Sequence, residues 1–126
     1  MAVLEQRVAA LDNGVAATAT ASGMAALTTA VMTICSSGDH IVASSRMYGA
    51  NINLLENTLP RFGITTTFVA PDDLAAIEAA IQPNTKIIFG EVIGNPGLDV
   101  MDVAAVAEIG KKAHVPLMLD LSLIHI

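Results

Sequence analysis

The sequence predicts an α/β fold, a mainly parallel sheet with helices on both of its faces. Short apolar and β-branched segments alternate with helical segments of about ten residues, a length typical of crossovers between parallel strands. The composition agrees, because 53% of the residues are hydrophobic and only 3% are aromatic, as expected for strands that are buried on both faces. No linker divides the 126 residues, so we expect at most one domain.

The first predicted elements are a helix, a strand and a second helix. Residues 3–11 are predicted as a short amphipathic helix, because apolar residues recur on one face, and the Asn13-Gly14 pair ends it. Residues 15–20 are predicted as a strand. The small pair Ser22-Gly23 then turns the chain into an apolar helix at residues 24–35.

An uncharged stretch raises the question of a membrane span. Residues 14–37 carry no charged side chain and are long enough to cross a bilayer. Their serines and threonines, and the break at Gly23, favour a strand, a turn and a buried helix instead. No membrane segment is therefore predicted.

The rest of the chain continues the alternation. Pro71 is predicted at the first position of a helix, where its fixed φ and missing N–H are suited, with Asp72 and Asp73 complementing the helix dipole. Asp102 is predicted to cap a later helix. The predicted strands are residues 40–43, 64–69, 86–92 and 117–120, and the predicted helices are residues 51–59, the segment opened by Pro71, and residues 103–114.

Charge and composition argue against several classes of function. The net charge is −6 and only six residues are Lys or Arg, so nucleic acid is not an expected partner. Cys35 is the only cysteine and is expected to be a buried, inert thiol. His40, His114 and His125 share no metal-ligand spacing, so no metal is expected and all three are predicted at the surface or at loop edges. No signal peptide follows Met1, so the expected location is the cytoplasm.

Two candidate sites follow the early predicted strands. Backbone N–H groups at the helix start formed by Ser22 and Gly23 can seat a phosphate, although a tight strand-helix junction that needs small residues for packing is the more common reason for such a turn. Tyr48, the only tyrosine, can stack on a flat cofactor, or it can pack on a neighbouring helix.

Two more candidates follow the later predicted strands. Asn95 can offer its amide to a ligand oxygen, or it can bond its own backbone in a turn. Asp120 ends the last strand, and a buried carboxylate there needs a partner such as a protonated ring nitrogen, unless it caps the following loop. All four candidates lie at carboxyl ends of predicted strands, where open α/β sheets bind ligands, and together they suit a phosphorylated pyridine cofactor.

Several segments in order resemble the Cys/Met-metabolism family of pyridoxal-phosphate enzymes, and the resemblance runs to Asp120. These segments are Leu4-Glu5-Gln6-Arg7, Ala21-Ser22-Gly23-Met24-Ala25-Ala26, Tyr48-Gly49, Leu59-Pro60-Arg61-Phe62-Gly63, Gly94-Asn95-Pro96 and Leu119-Asp120. The segment from Phe89 to Pro96 looks most like the O-acetylhomoserine sulfhydrylase branch. The resemblance implies the large domain of a fold type I, aspartate aminotransferase-like enzyme.

The resemblance also implies roles for the cofactor residues. Gly23 and Met24 match residues whose backbone amides hold the cofactor phosphate, and Ser22 belongs to the same turn. Tyr48 matches a tyrosine that stacks on the pyridine ring and assists departure of the leaving group, which makes it the one catalytic residue expected here. The ring partners implied are Asn95 for the phenolic oxygen and Asp120 for the pyridine nitrogen.

The implied activity eliminates acetate from O-acetylhomoserine and adds sulfide or a thiol, in methionine and cysteine biosynthesis, by a homodimer or homotetramer. Another trans-sulfuration enzyme, such as a cystathionine or methionine γ-lyase, is the nearest alternative. A non-catalytic α/β module that binds a phosphorylated ligand is the alternative from a different class.

The chain also departs from the family. The family's Schiff-base lysine stands in a Ser-x-x-Lys context, and none of Lys86, Lys111 and Lys112 has that context, so the isolated chain is expected to be inactive. Residues 121–126, Leu-Ser-Leu-Ile-His-Ile, are the direct translation of the start of a transposase adapter used in sequencing libraries. We therefore expect residues 1–120 to be a partial pyridoxal-phosphate domain that starts inside a gene, followed by a non-native tail.

Overall fold

A computed structural model describes residues 1–123, and the chain divides into a compact first unit, Met1–Val31, and a second unit that begins at Met32. In the first unit, helix α1 spans Ala2–Leu11 as predicted, although none of its residues is buried. Helix α2 spans Gly23–Ile34, and the Ser22 hydroxyl accepts a hydrogen bond from the N–H of Ala25 at its start.

The strand predicted at residues 15–20 is wrong. This segment is irregular, and the N–H of Ala19 donates to Oε1 of Glu5 instead of to a neighbouring strand. No strand forms among residues 1–31, so a β-capable segment there has no ladder partner within its unit. Its β-branched threonines alone do not make a strand.

The second unit is built on a four-stranded parallel sheet, which confirms the predicted α/β class. Strand order is β2-β1-β3-β4, with every neighbouring pair parallel. The strands are β1 His40–Ser44, β2 Thr65–Val69, β3 Thr85–Glu91 and β4 Leu117–Asp120, close to the predicted bounds. The two central strands, β1 and β3, are buried over almost their whole length, as their apolar sequences predict.

Helices α4, Leu74–Ala80, and α5, Val103–Ala113, cover one face of the sheet. Ile77 and Val106 from these helices share a buried cluster with Val42 and Ile88 from the central strands. Asp102 caps α5 as predicted, because its side chain accepts from the N–H of Ala105. This cluster anchors both helices to the central strands β1 and β3.

Pro71 does not open α4, so that prediction is wrong. The helix begins at Leu74, and Asp73 caps it by accepting from the N–H of Ala76 at 2.9 Å. Pro71 lies buried in the turn before the helix. A side-chain cap satisfies a free N–H of the first turn, so the helix begins directly after the residue that supplies it.

The helix predicted at residues 51–59 is longer and changes its winding. Helix α3 spans Gly49–Asn53, and the chain continues through a π-helical turn, Leu54–Thr58, into a 3₁₀ turn, Leu59–Phe62. Gly63, with φ at 76°, ends this stretch in the left-handed region, which glycine adopts without strain.

The histidines are placed differently from one another. His40 is only 2% exposed, which contradicts the predicted surface position, because it starts the central strand β1. His114 is exposed as predicted, and His125 lies outside the described residues, as do residues 124–126 of the predicted tail.

Among residues 1–123, we find no helix with the length and apolar content that a membrane crossing requires.

Candidate functional site

A cleft lies at the carboxyl edge of β3 and β4. Glu91 and Asp120 are the last residues of these strands and are paired in register. The cleft has a volume of about 230 Å³ and is lined by Tyr48, Glu91, Ile93, Asn95, Asp120, Ser122 and Leu123. The structure thus brings together three of the residues that the sequence singled out, Tyr48, Asn95 and Asp120.

Glu91 also lines this cleft, although it is not among the candidate residues that the sequence singled out. Its side chain is buried, and its Oε1 accepts from the N–H of Tyr48 at 2.7 Å and from Nδ2 of Asn51 at 3.0 Å. Its Oε2 accepts from the N–H of Asn95 at 3.2 Å. The sequence could have indicated Glu91 by its position, because Glu91 ends an apolar strand just as Asp120 does.

Asp120 is half-buried and hydrogen-bonded on both carboxylate oxygens. Its Oδ2 accepts from Nδ2 of Asn51 at 3.1 Å, and its Oδ1 accepts from the N–H of Ser122 at 2.9 Å and from the Ser122 hydroxyl. Burial raises the pKa of Asp120, but the hydrogen bonds from Ser122 and Asn51 outweigh it, so the pKa lies below its ordinary value. The side chain is therefore an ionised carboxylate at neutral pH.

Asp120 caps the loop after β4, which is one of the two roles that the sequence leaves open for it. The bonds from Ser122 to Oδ1 cap the turn that follows β4, as expected of a loop-capping aspartate. A carboxylate offers about four acceptor positions, and the recorded donors occupy three of them. Capping of the loop and pairing with a cationic ring nitrogen are thus compatible at Asp120.

Tyr48 stands at the start of α3, after the loop that follows β1. Its backbone N–H is held by Glu91, while its side chain lines the cleft and the residue remains 51% exposed. This exposure disagrees with a ring packed against a neighbouring helix. An aromatic face that borders an open cleft is available for stacking on a planar ligand.

Asn95 lies in a tight loop between β3 and α5. The N–H of Gly94 donates to the carbonyl of Asp99, the N–H of Leu98 donates to the carbonyl of Gly94, and the Asn95–Pro96 peptide bond is cis. A Cβ at Gly94 would lie 2.7 Å from the carbonyl oxygen of Arg46, so only glycine fits this approach of two backbones. The loop thereby holds Asn95 at the cleft.

Ser22, Gly23 and Met24 belong to the first unit, at the start of α2. Ser22 caps the helix through Ala25, and both Ser22 and Gly23 are exposed. A Cβ built at Gly23 would meet no atom within 4 Å. Packing therefore does not require the small residue here, contrary to the tight-junction alternative, and the first N–H groups of the helix are open to an anion.

The three lysines lie in other parts of the described chain. Lys86 is near the start of β3, at the end of the strand opposite the cleft, and its Nζ is 4.0 Å from Asp39. Lys111 and Lys112 are in the last turn of α5. None of them stands among the residues that line the cleft.

A known protein family and known proteins match almost the whole of this chain. The profile of the Cys/Met metabolism PLP-dependent enzyme family matches residues 1–124. O-acetyl-L-homoserine sulfhydrylase of Corynebacterium glutamicum is 49% identical over 118 residues, which cover 93% of this chain and 27% of the relative. The chain thus spans about a quarter of that relative's length.

Solved structures show the same similarity. A Campylobacter jejuni protein whose structure holds N'-pyridoxyl-lysine-5'-monophosphate has a TM-score of 0.93 and 37% identity, over 95% of this chain and 30% of its own. Cystathionine gamma-lyase from Lactobacillus plantarum, complexed with L-serine, has a TM-score of 0.90 and 40% identity, over 94% of this chain and 31% of its own. The chain belongs to the Cys/Met metabolism PLP-dependent enzyme family.

Proposed function

We propose that this chain is part of a pyridoxal-phosphate-dependent transferase that releases acetate from O-acetylhomoserine and adds sulfide or a thiol. The observation that carries the proposal is the single cleft that holds Tyr48, Asn95 and an ionised Asp120 at the carboxyl edge of a parallel sheet. The 49% identity to O-acetyl-L-homoserine sulfhydrylase supports the choice of substrate. The complete enzyme is proposed to be a cytoplasmic homo-oligomer of methionine and cysteine biosynthesis.

The cleft residues fit the pyridine ring of the cofactor. Pyridoxal phosphate, when bound, supplies an electron sink for the amino-acid substrate. Asp120 is proposed to hold a proton on the ring nitrogen through its negative charge, and Asn95 to donate its amide to the phenolic oxygen. Tyr48 is proposed to cover one ring face and to transfer a proton at its hydroxyl as the leaving group departs.

The start of α2 is proposed to hold the phosphate group. Support comes from the exposed start of the helix at Gly23, from the open space around that residue, and from the family resemblance of this turn. Ser22, which already accepts from Ala25, is proposed to add its hydroxyl as a donor to a phosphate oxygen.

Fluorescence offers a direct test of cofactor binding. Tyr48 is the only tyrosine and the chain has no tryptophan, so its emission reports on the cleft alone. Pyridoxal phosphate should quench this emission saturably, beyond the loss seen with free N-acetyltyrosinamide. Absence of saturable quenching would contradict the proposed cleft function. Thermal stabilisation by nucleotides or inorganic phosphate without quenching would favour the non-catalytic phosphate-binding module.

The chain by itself is proposed to have no turnover. Its lysines lie away from the cleft, so no amine there can bond the cofactor covalently and move protons at the substrate. Acetate release from O-acetylhomoserine in the presence of sulfide should equal the rate without protein. Borohydride reduction followed by peptide mass mapping would contradict the proposal if it located the cofactor on one lysine.

A second candidate is a γ-lyase of the same family. The 40% identity to cystathionine gamma-lyase from Lactobacillus plantarum favours it. An assay of the complete enzyme with O-acetylhomoserine plus sulfide, and separately with cystathionine, distinguishes the two. Formation of the sulfide addition product from O-acetylhomoserine supports the sulfhydrylase. Release of an oxo acid from cystathionine supports the lyase.

A further inference from the structure

Asn51 and Glu91 form a buried network behind the cleft. Asn51 is 2% exposed and Glu91 is 6% exposed. Nδ2 of Asn51 lies 3.0 Å from Oε1 of Glu91 and 3.1 Å from Oδ2 of Asp120. One amide nitrogen on α3 therefore connects the ends of β3 and β4.

We propose that Glu91 and Asn51 are positioning residues, in which Glu91 fixes the backbone at Tyr48 and Asn95, and Asn51 orients the carboxylate of Asp120 toward a ring nitrogen in the cleft. This inference rests on the proposed function for its ligand. It concerns residues to which the family resemblance assigned no role.

Glu91 connects the start of α3, 40 to 43 positions away in sequence, with the loop that directly follows its own strand. Its two oxygens accept from the N–H groups of Tyr48 and Asn95 and from the amide of Asn51. A buried carboxylate with three donors has a strong electrostatic preference for one geometry, because each bond to an ionised acceptor is stronger than a neutral one. Movement of either segment would leave a buried or partly buried donor without its acceptor.

Asn51 is chemically suited to lie between two carboxylates. Its amide nitrogen carries two protons, one for Glu91 and one for Asp120, and the side chain is neutral. A hydroxyl could serve only one carboxylate, and a lysine or arginine would neutralise the charge that a cationic ring nitrogen needs. The titratable groups that line the cleft are Tyr48, Glu91 and Asp120, so no cation among these lining residues competes for Asp120.

The first test measures the Asp120 carboxyl directly in the cofactor-free chain. Carbon-13 NMR titration should show a higher pKa for Asp120 in Asn51→Ala than in wild type, because a donor to the ionised form is lost. Asn51→Ser keeps one donor and should give an intermediate value. Asn53→Ala is the matched control, since Asn53 is exposed on the same helix, and it should leave the pKa of Asp120 unchanged.

The second test measures cofactor affinity. Quenching of Tyr48 emission by pyridoxal phosphate should require about threefold to tenfold more cofactor in Asn51→Ala than in Asn53→Ala. Circular dichroism establishes that each variant is folded, and Asn51→Ser replaces Asn51→Ala if the latter is not. An unchanged or lower pKa of Asp120 in the folded variant overturns the positioning role. A wild-type chain that binds no pyridoxal phosphate overturns the proposed function, whereas the titration alone decides the role of Asn51.

Discussion

Glu91 and Asp120 are in-register neighbours on β3 and β4, and both accept a hydrogen bond from the same amide nitrogen of Asn51. Two carboxylates at the ends of adjacent strands disfavour each other's ionised form unless donors lie close to them. Here Asn51 supplies that donor between them, and backbone N–H groups together with the Ser122 hydroxyl supply the rest. Loss of one of these hydrogen-bond partners is therefore expected to disturb the positions of the other cleft residues.

Removal of the Glu91 carboxylate should destabilise the fold. Glu91→Ala leaves the buried amide of Asn51 and the partly buried backbone N–H groups of Tyr48 and Asn95 without their acceptor. We expect the free energy of unfolding to fall by about 2–4 kcal/mol, measured by urea denaturation.

The matched control for this change is Glu78→Ala. Glu78 is exposed on α4, so its truncation should alter the free energy of unfolding by no more than about 0.5 kcal/mol. Equal stability of the Glu91 and Glu78 variants would show that the Glu91 network does not hold the cleft loops.

Gly94→Ala should displace the loop that carries Asn95. The added Cβ would lie 2.7 Å from the backbone oxygen of Arg46, so one of the two backbones must move. We expect a loss of about 1–3 kcal/mol in the free energy of unfolding and weaker cofactor binding. Gly49→Ala is the control, because a Cβ there meets nothing within 4 Å, and it should be neutral or stabilising. A neutral Gly94→Ala would be inconsistent with this backbone approach.

Substitutions at Tyr48 should separate stacking from hydroxyl chemistry. Tyr48→Phe keeps the ring and should bind pyridoxal phosphate about as tightly as wild type. Tyr48→Ala loses the ring and should bind about tenfold more weakly, as measured by isothermal titration calorimetry. Similar losses in both variants would argue that the ring does not stack on the cofactor.

The buried His40 should make stability depend on pH. Its Nδ1 lies 2.8 Å from Oγ1 of Thr85 and its Nε2 lies 2.9 Å from Oγ1 of Thr67, with Nε2 of Gln82 at 3.3 Å. Burial lowers the pKa of His40 from its ordinary value of 6.5. The unfolded chain therefore binds the proton more readily than the folded chain, so stability is complete above about pH 6.5 and decreases as the pH falls below it.

Denaturation at a series of pH values from about 7.5 to 5 would measure this effect. His40→Gln should remove the part of the pH dependence that belongs to this residue, while His114→Gln, at an exposed position, should retain it. An NMR titration that found the pKa of His40 at or above its ordinary value would refute the prediction.

Local patterns in the sequence predicted most of the elements correctly. The capping aspartate at Asp102, the turn at Ser22 and the apolar strands at residues 86–92 and 117–120 are all set by neighbours within a few positions, so periodicity and capping chemistry suffice. Residues 15–20 failed because a strand requires a partner, which no local pattern reports.

Local sequence patterns predicted the α/β class and the position of Tyr48, Asn95 and Asp120 at the carboxyl edge of the sheet, because parallel strands all end at one edge. The participation of Glu91 and Asn51, and the burial of His40, are visible only in the folded structure. The bond from Asn51 to Asp120 connects residues 69 positions apart, and it depends on the pairing of β3 with β4 and on where α3 packs. Such contacts arise from the three-dimensional register of the strands, which the order of residues along the chain does not display.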